Sequence, residues 1–112
     1  MDDKIIRELK RGTLEMVLLS LLSERQQYGY QLVSAIAERS DGLLTLAEGS
    51  LYPVLYRLED AGLIEARWET QGRGVPRKYY CVTELGKENL AAQKGQWQAL
   101  VVAMEKLLGG GS

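Results

Sequence analysis

The sequence predicts a single small domain of mainly α-helical, α+β class, and three observations lead to that prediction. Between residues 50 and 64, apolar side chains recur at helical spacing on one face while polar side chains occupy the other. Gly62 then ends the helix, and two segments of alternating residues follow it. A basic loop with two glycines and a proline separates these segments. This order predicts a winged helix-turn-helix whose wing has two to three strands.

Two amphipathic helices are predicted ahead of this region. Leucines and a valine follow a helical repeat over residues 13–23, with Thr13 as the N-cap. A second helix is predicted over about residues 30–39, where a glycine-containing turn ends it. The short apolar run 43–46 either adds a third strand to the hairpin or stays irregular, because periodicity does not decide so short a run.

The third predicted helix has two faces that differ in chemistry. It begins between Glu48 and Ser50, since Pro53 is tolerated in a first turn but is costly further in. The apolar stripe that packs on the core consists of Leu51, Val54, Leu55 and Leu58. The opposite face carries Gly49, Pro53, Tyr56, Arg57 and Asp60. A helix held by one face is free to present the other to a partner.

The hairpin is predicted from two alternating segments. Apolar and charged residues alternate over 64–69, with Ile64, Ala66 and Trp68 on one face. A second alternating segment covers 78–83, and the loop 70–76 between them is longer than a tight turn. Both strands are expected to be half-buried, and the loop between them is the predicted wing.

Composition excludes several classes of function. The chain has 112 residues, one cysteine, Cys81, and no histidine. A disulfide within the chain, a zinc site of ordinary spacing and a histidine-activated nucleophile are therefore excluded. We predict that the protein is not an enzyme and needs no metal or cofactor. The apolar runs are shorter than a membrane span, and the N-terminus is unlike a secretory signal, so we expect a cytoplasmic protein without a membrane partner.

The formal net charge of −1 counts against nucleic-acid binding until the charges are located. One group of basic residues lies near the N-terminus: Lys4, Arg7, Lys10 and Arg11. A second group lies along the hairpin: Arg67, Arg73, Arg77 and Lys78. Between residues 67 and 78 only Glu69 offsets them. Attraction to phosphate depends on the charge of the contacting face, although basic runs are also common as ordinary solvated surface.

A last helix is predicted over residues 84–108, with Thr83 as its cap. Its apolar residues recur at the spacing of a helix-pairing surface: Leu90, Trp97, Leu100, Val101, Met104, Leu107 and Leu108. We call these residues the apolar seam. They predict a dimerisation helix, which divides the chain into a DNA-binding domain (1–83), this helix (84–108) and a flexible glycine-rich tail (109–112). Two roles stay open for Trp97: its side chain either belongs to the core of the dimer interface or stacks on a bound ligand.

Four motifs resemble the PadR family of bacterial transcriptional regulators over about residues 11–108. They are Arg11-Gly12-Thr13-Leu14-Glu15, Tyr28-Gly29-Tyr30, the segment from Glu48 to Glu59 and the segment from Arg77 to Gly86. The resemblance implies a homodimeric repressor that dimerises through its C-terminal helix and binds a near-palindromic promoter site. The chain is similar to the compact branch of the family, some of whose members bind flat hydrophobic compounds between tryptophans related by the dimer axis.

The residues and the resemblance together give the predicted sites. The predicted DNA-binding residues are Ser50, Tyr52, Pro53, Tyr56, Arg57, Arg73, Arg77 and Lys78. The predicted dimer-interface residues are Leu90, Trp97, Leu100, Val101, Met104 and Leu108. Trp97 is also the candidate for binding a small aromatic or hydrophobic effector. The alternative function is a winged-helix module that binds protein instead of DNA through the apolar seam, a role that does not require a basic wing.

Overall fold

The computed structural model describes residues 12–70 and 72–109, which form a winged helix-turn-helix. The basic residues Lys4, Arg7, Lys10 and Arg11 and the tail residues 110–112 lie outside this description. In chain order the elements are α1 (Leu14–Glu24), β1 (Gln27–Tyr28), α2 (Gly29–Arg39), α3 (Glu48–Asp60), β2 (Ile64–Glu69), β3 (Arg77–Val82) and α4 (Glu84–Leu108). The three strands form an antiparallel sheet in the order β1-β3-β2.

The core lies where α1, α2 and α3 meet the sheet. Helical periodicity turns one apolar stripe of each helix inward, and Leu18, Leu32 and Leu55 are completely buried. Tyr80 of β3 is also fully buried and closes the core on the sheet side. The stripe predicted for α3 is confirmed, because all four of its residues are buried while the opposite face is exposed. The core therefore holds α3 by one face only.

The third strand lies in a different place from the one considered in the sequence. Residues 43–46 are irregular, and β1 (Gln27–Tyr28) instead pairs with β3. The Gln27 side chain is 2% exposed and donates a hydrogen bond to the Leu21 carbonyl at 2.9 Å, which compensates for its burial. The apolar character of the 43–46 run has another cause, since Leu44 and Leu46 pack against the core without being in a strand.

The hairpin confirms the predicted strands but not the burial of Trp68. Ile64 is 1% exposed and Ala66 is half-buried, yet Trp68 on the same face is 69% exposed. The alternation of residues thus continues to the end of the strand, while burial is confined to its first half.

Helix ends agree with the predicted boundaries, although their capping differs. Thr13 is the N-cap of α1, but its side chain makes no capping hydrogen bond. The third helix begins at Glu48, inside the predicted window, after an uncapped Ala47. Pro53 consequently falls in the second turn, where its missing N–H leaves a backbone carbonyl on the exposed face of α3 without its usual helical donor.

The last helix belongs to the core at its start and leaves it further on. Thr83 caps it by accepting from the Gly86 N–H at 3.0 Å and donating to the Gly62 carbonyl at 2.7 Å. Leu90 is 7% exposed and packs in the core cluster of its own chain. The prediction that Leu90 contacts a second chain is corrected accordingly, because its side chain is already covered. The seam residues from Trp97 onward are largely exposed, apart from the half-buried Val101.

Candidate nucleic-acid interface

The free face of α3 is the centre of the candidate interface. Ser50, Pro53, Tyr56 and Arg57 are all exposed, and Tyr56 leaves 51% of its surface to solvent. Tyr52 lies beside them and is half-buried. The Tyr52 and Tyr56 side chains lie on the same side of α3, as their spacing of four residues predicts, and their rings stack with centroids 6.1 Å apart and planes at 29°. This face presents hydroxyl groups, flat rings and a cation together.

Tyr52 is held in place from two sides. Its hydroxyl donates to Glu48 at 3.3 Å within α3. On the other side it approaches the first residue of α2, where a Cβ on Gly29 would lie 2.6 Å from the Tyr52 hydroxyl oxygen. Burial raises the pKa of Tyr52, and the nearby carboxylate of Glu48 raises it further. Tyr52 therefore remains a neutral donor, and glycine at position 29 provides the room it needs.

Lys78 of β3 joins the wing to α3. Its Nζ lies 5.4 Å from the centroid of the Tyr56 ring and 5.4 Å from that of Tyr80. It also lies 3.7 Å from a carboxylate oxygen of Glu59. Burial raises the pKa of Tyr80 to about 12, so the ring beneath Lys78 stays neutral. Two groups of residues that the sequence predicted separately, on the helix and on the wing, thus meet at Lys78.

Two acidic residues that the sequence analysis did not assign to this surface lie beside the cations Arg57 and Lys78. Glu15 of α1 lies 3.6 Å from Arg57, and Glu59 is the partner of Lys78. Side chains of both pairs remain partly accessible to solvent, and ion pairs of this kind contribute about 0–1 kcal/mol. A phosphate can replace either carboxylate at small cost. The helical spacing that places Glu15 in the first turn of α1 carries no signal of this contact.

The structure separates Arg77 from Lys78. Adjacent residues of a strand point to opposite faces, and the Arg77 guanidinium lies 4.5 Å from the centroid of Tyr28 on the face away from α3. Tyr28 in turn packs edge-on against Tyr79, with centroids 5.3 Å apart. Arg73 is exposed in the wing loop, after Gly72 at φ 61°. Arg73 is therefore free at the end of the wing, whereas Arg77 stacks on an aromatic ring.

A second surface follows the exposed part of α4. Trp97 lines a cleft of about 440 Å³ between α1 and α4, together with Met16, Val17 and Lys94. It also lines a smaller cleft of about 190 Å³ near the start of α1. Beyond it, Leu100 and other apolar residues face solvent.

The described residues contain no group of three acidic or cysteine side chains placed to hold a metal ion. Among the helices of that same part of the chain, none is long and apolar enough to cross a bilayer.

The fold and the chemistry of α3 define a winged-helix DNA-binding regulator, and comparison with known proteins identifies its family. The sequence profile of the Transcriptional regulator PadR-like family matches residues 18–92. The chain belongs to this family, which confirms the resemblance predicted from its motifs. It is accordingly a transcriptional regulator and not an enzyme, as the sequence predicted.

Solved and curated relatives agree with this assignment. A PadR family regulator from Eggerthella lenta superposes with a TM-score of 0.83 at 39% identity, covering 94% of this chain and 89% of that one. The negative transcriptional regulator PadR of Bacillus subtilis is 31% identical over 77 residues, which is 69% of this chain and 42% of that protein. The structure of B. subtilis PadR in complex with operator DNA matches at a TM-score of 0.65 and 30% identity, over 72% of this chain and 47% of that one.

Proposed function

We propose that this protein binds double-stranded DNA as a homodimer and represses transcription from a near-palindromic promoter site. The observation that carries the proposal is the free face of α3, where Tyr56 and Arg57 are exposed and Lys78 of the wing adjoins Tyr56. A helix of this kind fits the major groove, where a tyrosine or an arginine can reach base edges and phosphates. The operator complex of B. subtilis PadR supports the same role for the fold here.

The charge of the contacting surface is compatible with this role despite the net charge of −1. Arg57, Arg73 and Lys78 lie on or beside the surface formed by α3 and the wing, and Glu15 and Glu59 are their nearby counter-charges. Because these ion pairs are weak and partly exposed, phosphates can compete with both carboxylates. The local surface then becomes basic on binding, while acidic residues elsewhere set the total charge. Such a regulator would act in the bacterial cytoplasm, where its DNA is.

Dimerisation through α4 follows from the exposed part of the apolar seam. Leu100, Met104 and Leu108 lie along one side of this helix and are 52%, 42% and 76% exposed in a single chain. A stripe of this kind favours a second copy of the same chain, and a two-fold axis makes both surfaces identical. In this arrangement residues 1–83 form the DNA-binding domain and residues 84–108 form the dimerisation helix. The two-fold axis would place the α3 helices of the two chains about 34 Å apart, which is one helical turn of the duplex.

Replacing Arg73 and Lys78 together with alanine is expected to make DNA binding less dependent on salt. Each cation that neutralises a phosphate releases counterions, so the double variant should flatten the slope of log affinity against log salt by up to about two units. The measurement is a fluorescence anisotropy titration of a labelled duplex at several salt concentrations. A separate Arg77→Ala variant measures whether the other face of β3, where Arg77 stacks on Tyr28, also releases counterions. An unchanged slope in the double variant would remove the wing from the contact surface.

Trp97 is proposed to bind a small planar aromatic effector near the dimer axis. The clefts on both sides of this residue provide the space, and its indole can stack on a flat ligand. Such a ligand regulates only if it prefers the conformation in which the α3 helices are wrongly spaced for DNA. In a Trp68→Phe background, planar aromatic compounds are expected to quench tryptophan fluorescence and weaken DNA binding. If no compound quenches while Trp97→Ala abolishes the dimer, Trp97 is interface core instead.

A further inference from the structure

Trp68 is an exposed aromatic residue of the wing that the proposed contacts leave unused. It is the fifth of the six residues of β2 and is 69% exposed, although Ile64 on the same face is buried. The apolar faces of an indole in water lack the contacts that tryptophan side chains usually make when buried, and its N–H can donate only to solvent. Trp68 is therefore placed to make those contacts with a partner.

The register of the sheet shows which surface Trp68 extends. It is paired with Lys78 of β3, and cross-strand partners project from the same face with Cβ atoms roughly 5 Å apart. Lys78 in turn lies over the Tyr56 ring of α3. Tyr56, Lys78 and Trp68 consequently form one strip, which runs from the free face of α3 outward along the wing. We call this the wing strip.

We propose that Trp68 packs against the sugar–phosphate backbone of the duplex that α3 engages, with its indole Nε1–H donating to a phosphate oxygen. The inference rests on the proposed function, since it requires the duplex to be bound. Lys78 within the strip and Arg73 at the end of the wing favour a polyanion, although Glu59 lies beside Lys78 and Glu69 follows Trp68 in β2. An indole has a flat apolar face for deoxyribose and one donor, with no acceptor to oppose phosphate.

The proposed Trp68 contact differs from the other proposed contacts in how its loss should affect DNA affinity and the salt dependence of binding. A backbone contact positions the duplex without reading sequence, so Trp68 should contribute equally to operator and unrelated duplexes. The side chain carries no charge, so its loss should lower affinity without changing the number of counterions released. The basic residues have the opposite signature, because their removal changes the salt slope. The two kinds of contact can thus be distinguished in one set of titrations.

The test compares the parent protein with Trp68→Ala and Trp68→Phe on the operator duplex and on an unrelated duplex of equal length. We expect Trp68→Ala to weaken both complexes about tenfold with an unchanged salt slope, and Trp68→Phe to lose less because it keeps an apolar ring. Leu85→Ala is the control, since Leu85 is 53% exposed in the first turn of α4, which follows the end of β3 away from the wing loop. Melting temperatures should stay equal in all variants, and the change in tryptophan emission on DNA binding should be absent from Trp68→Phe.

Three results would overturn the inference while leaving the proposed function intact. Trp68→Ala could bind DNA as tightly as the parent, it could lose affinity for the operator alone, or it could change the oligomeric state. Unchanged affinity would mean that the indole does not contact DNA. A loss for the operator alone would mean that the indole contacts bases. A changed oligomeric state would mean that its partner is a second copy of the chain. A parent protein that binds no duplex at all would instead remove the proposed function, and the inference with it.

Discussion

Replacing Gly86 by alanine is expected to destabilise the protein by about 3 kcal/mol, since overpacking a closely fitted site costs roughly that much. A Cβ at this position would lie 2.1 Å from the Leu63 carbonyl oxygen and 2.7 Å from a methyl carbon of Val82. The oxygen cannot easily move, because it accepts a hydrogen bond from the Thr83 N–H at 3.0 Å. The substitution must therefore push the start of α4 away from the sheet, which also disturbs the Thr83 cap.

Gly95 provides the matched control within the same helix. No atom lies within 4 Å of a Cβ built on it, so alanine meets no obstacle there in the single chain. Its helix propensity should stabilise the protein by about 1 kcal/mol. Urea denaturation at one fixed protein concentration measures both variants, because dimerisation would make stability depend on concentration. Equal stabilities for the two variants would contradict the close contact between α4 and the turn after α3.

The structure of α3 could be predicted in detail because its sequence has a strong period. Four apolar residues at helical spacing specify which face enters the core, and the rest follows from geometry. The exposure of Tyr56 and its position on the same side of the helix as Tyr52 follow from the helical period, whereas the stacking of the two rings was not predicted. The capping of α4 by Thr83 was predictable for a similar reason, since the signal is local.

Elements that depend on distant partners could not be predicted in this way. The strand β1 has two residues, too few for any period, and it exists because β3 offers it a partner. The run 43–46 had the composition of a strand, but Leu44 and Leu46 pack against the core without forming one, and Leu43 is exposed. Leu90 matched the seam by spacing, although the fold had already covered it. Spacing along a helix thus identifies a face and leaves open what that face contacts.

The sequence allowed the residues of the candidate interface to be proposed, but it did not predict how they are arranged. The meeting of Lys78 with Tyr56 depends on how the sheet packs on α3, which the sequence does not encode locally. The separation of Arg77 from Lys78 could have been predicted, because neighbouring strand residues point to opposite faces. The exposure of Trp68 depends on how much of β2 the rest of the fold covers, which is again a tertiary property.

The variant L100K/M104K is expected to be a folded monomer that no longer binds its operator tightly. Two charges placed on the exposed apolar seam make close approach of a second seam unfavourable, while Leu90 keeps the start of α4 in the core. A monomer would engage one half-site at a time and lose the gain from linked binding, which is on the order of a hundredfold. The control A92K/A99K adds the same two charges to the opposite face of α4 and should leave the dimer intact.

Binding stoichiometry and affinity on a duplex enriched from host genomic DNA test the central claim most directly. The parent protein should select a site with two-fold symmetry and bind it as two chains, with affinity that falls steeply as salt rises. L100K/M104K should sediment as a monomer and bind this duplex about a hundredfold more weakly, whereas A92K/A99K should match the parent. The account would be contradicted if the parent enriched no duplex, or if L100K/M104K bound the symmetric site as tightly as the parent does.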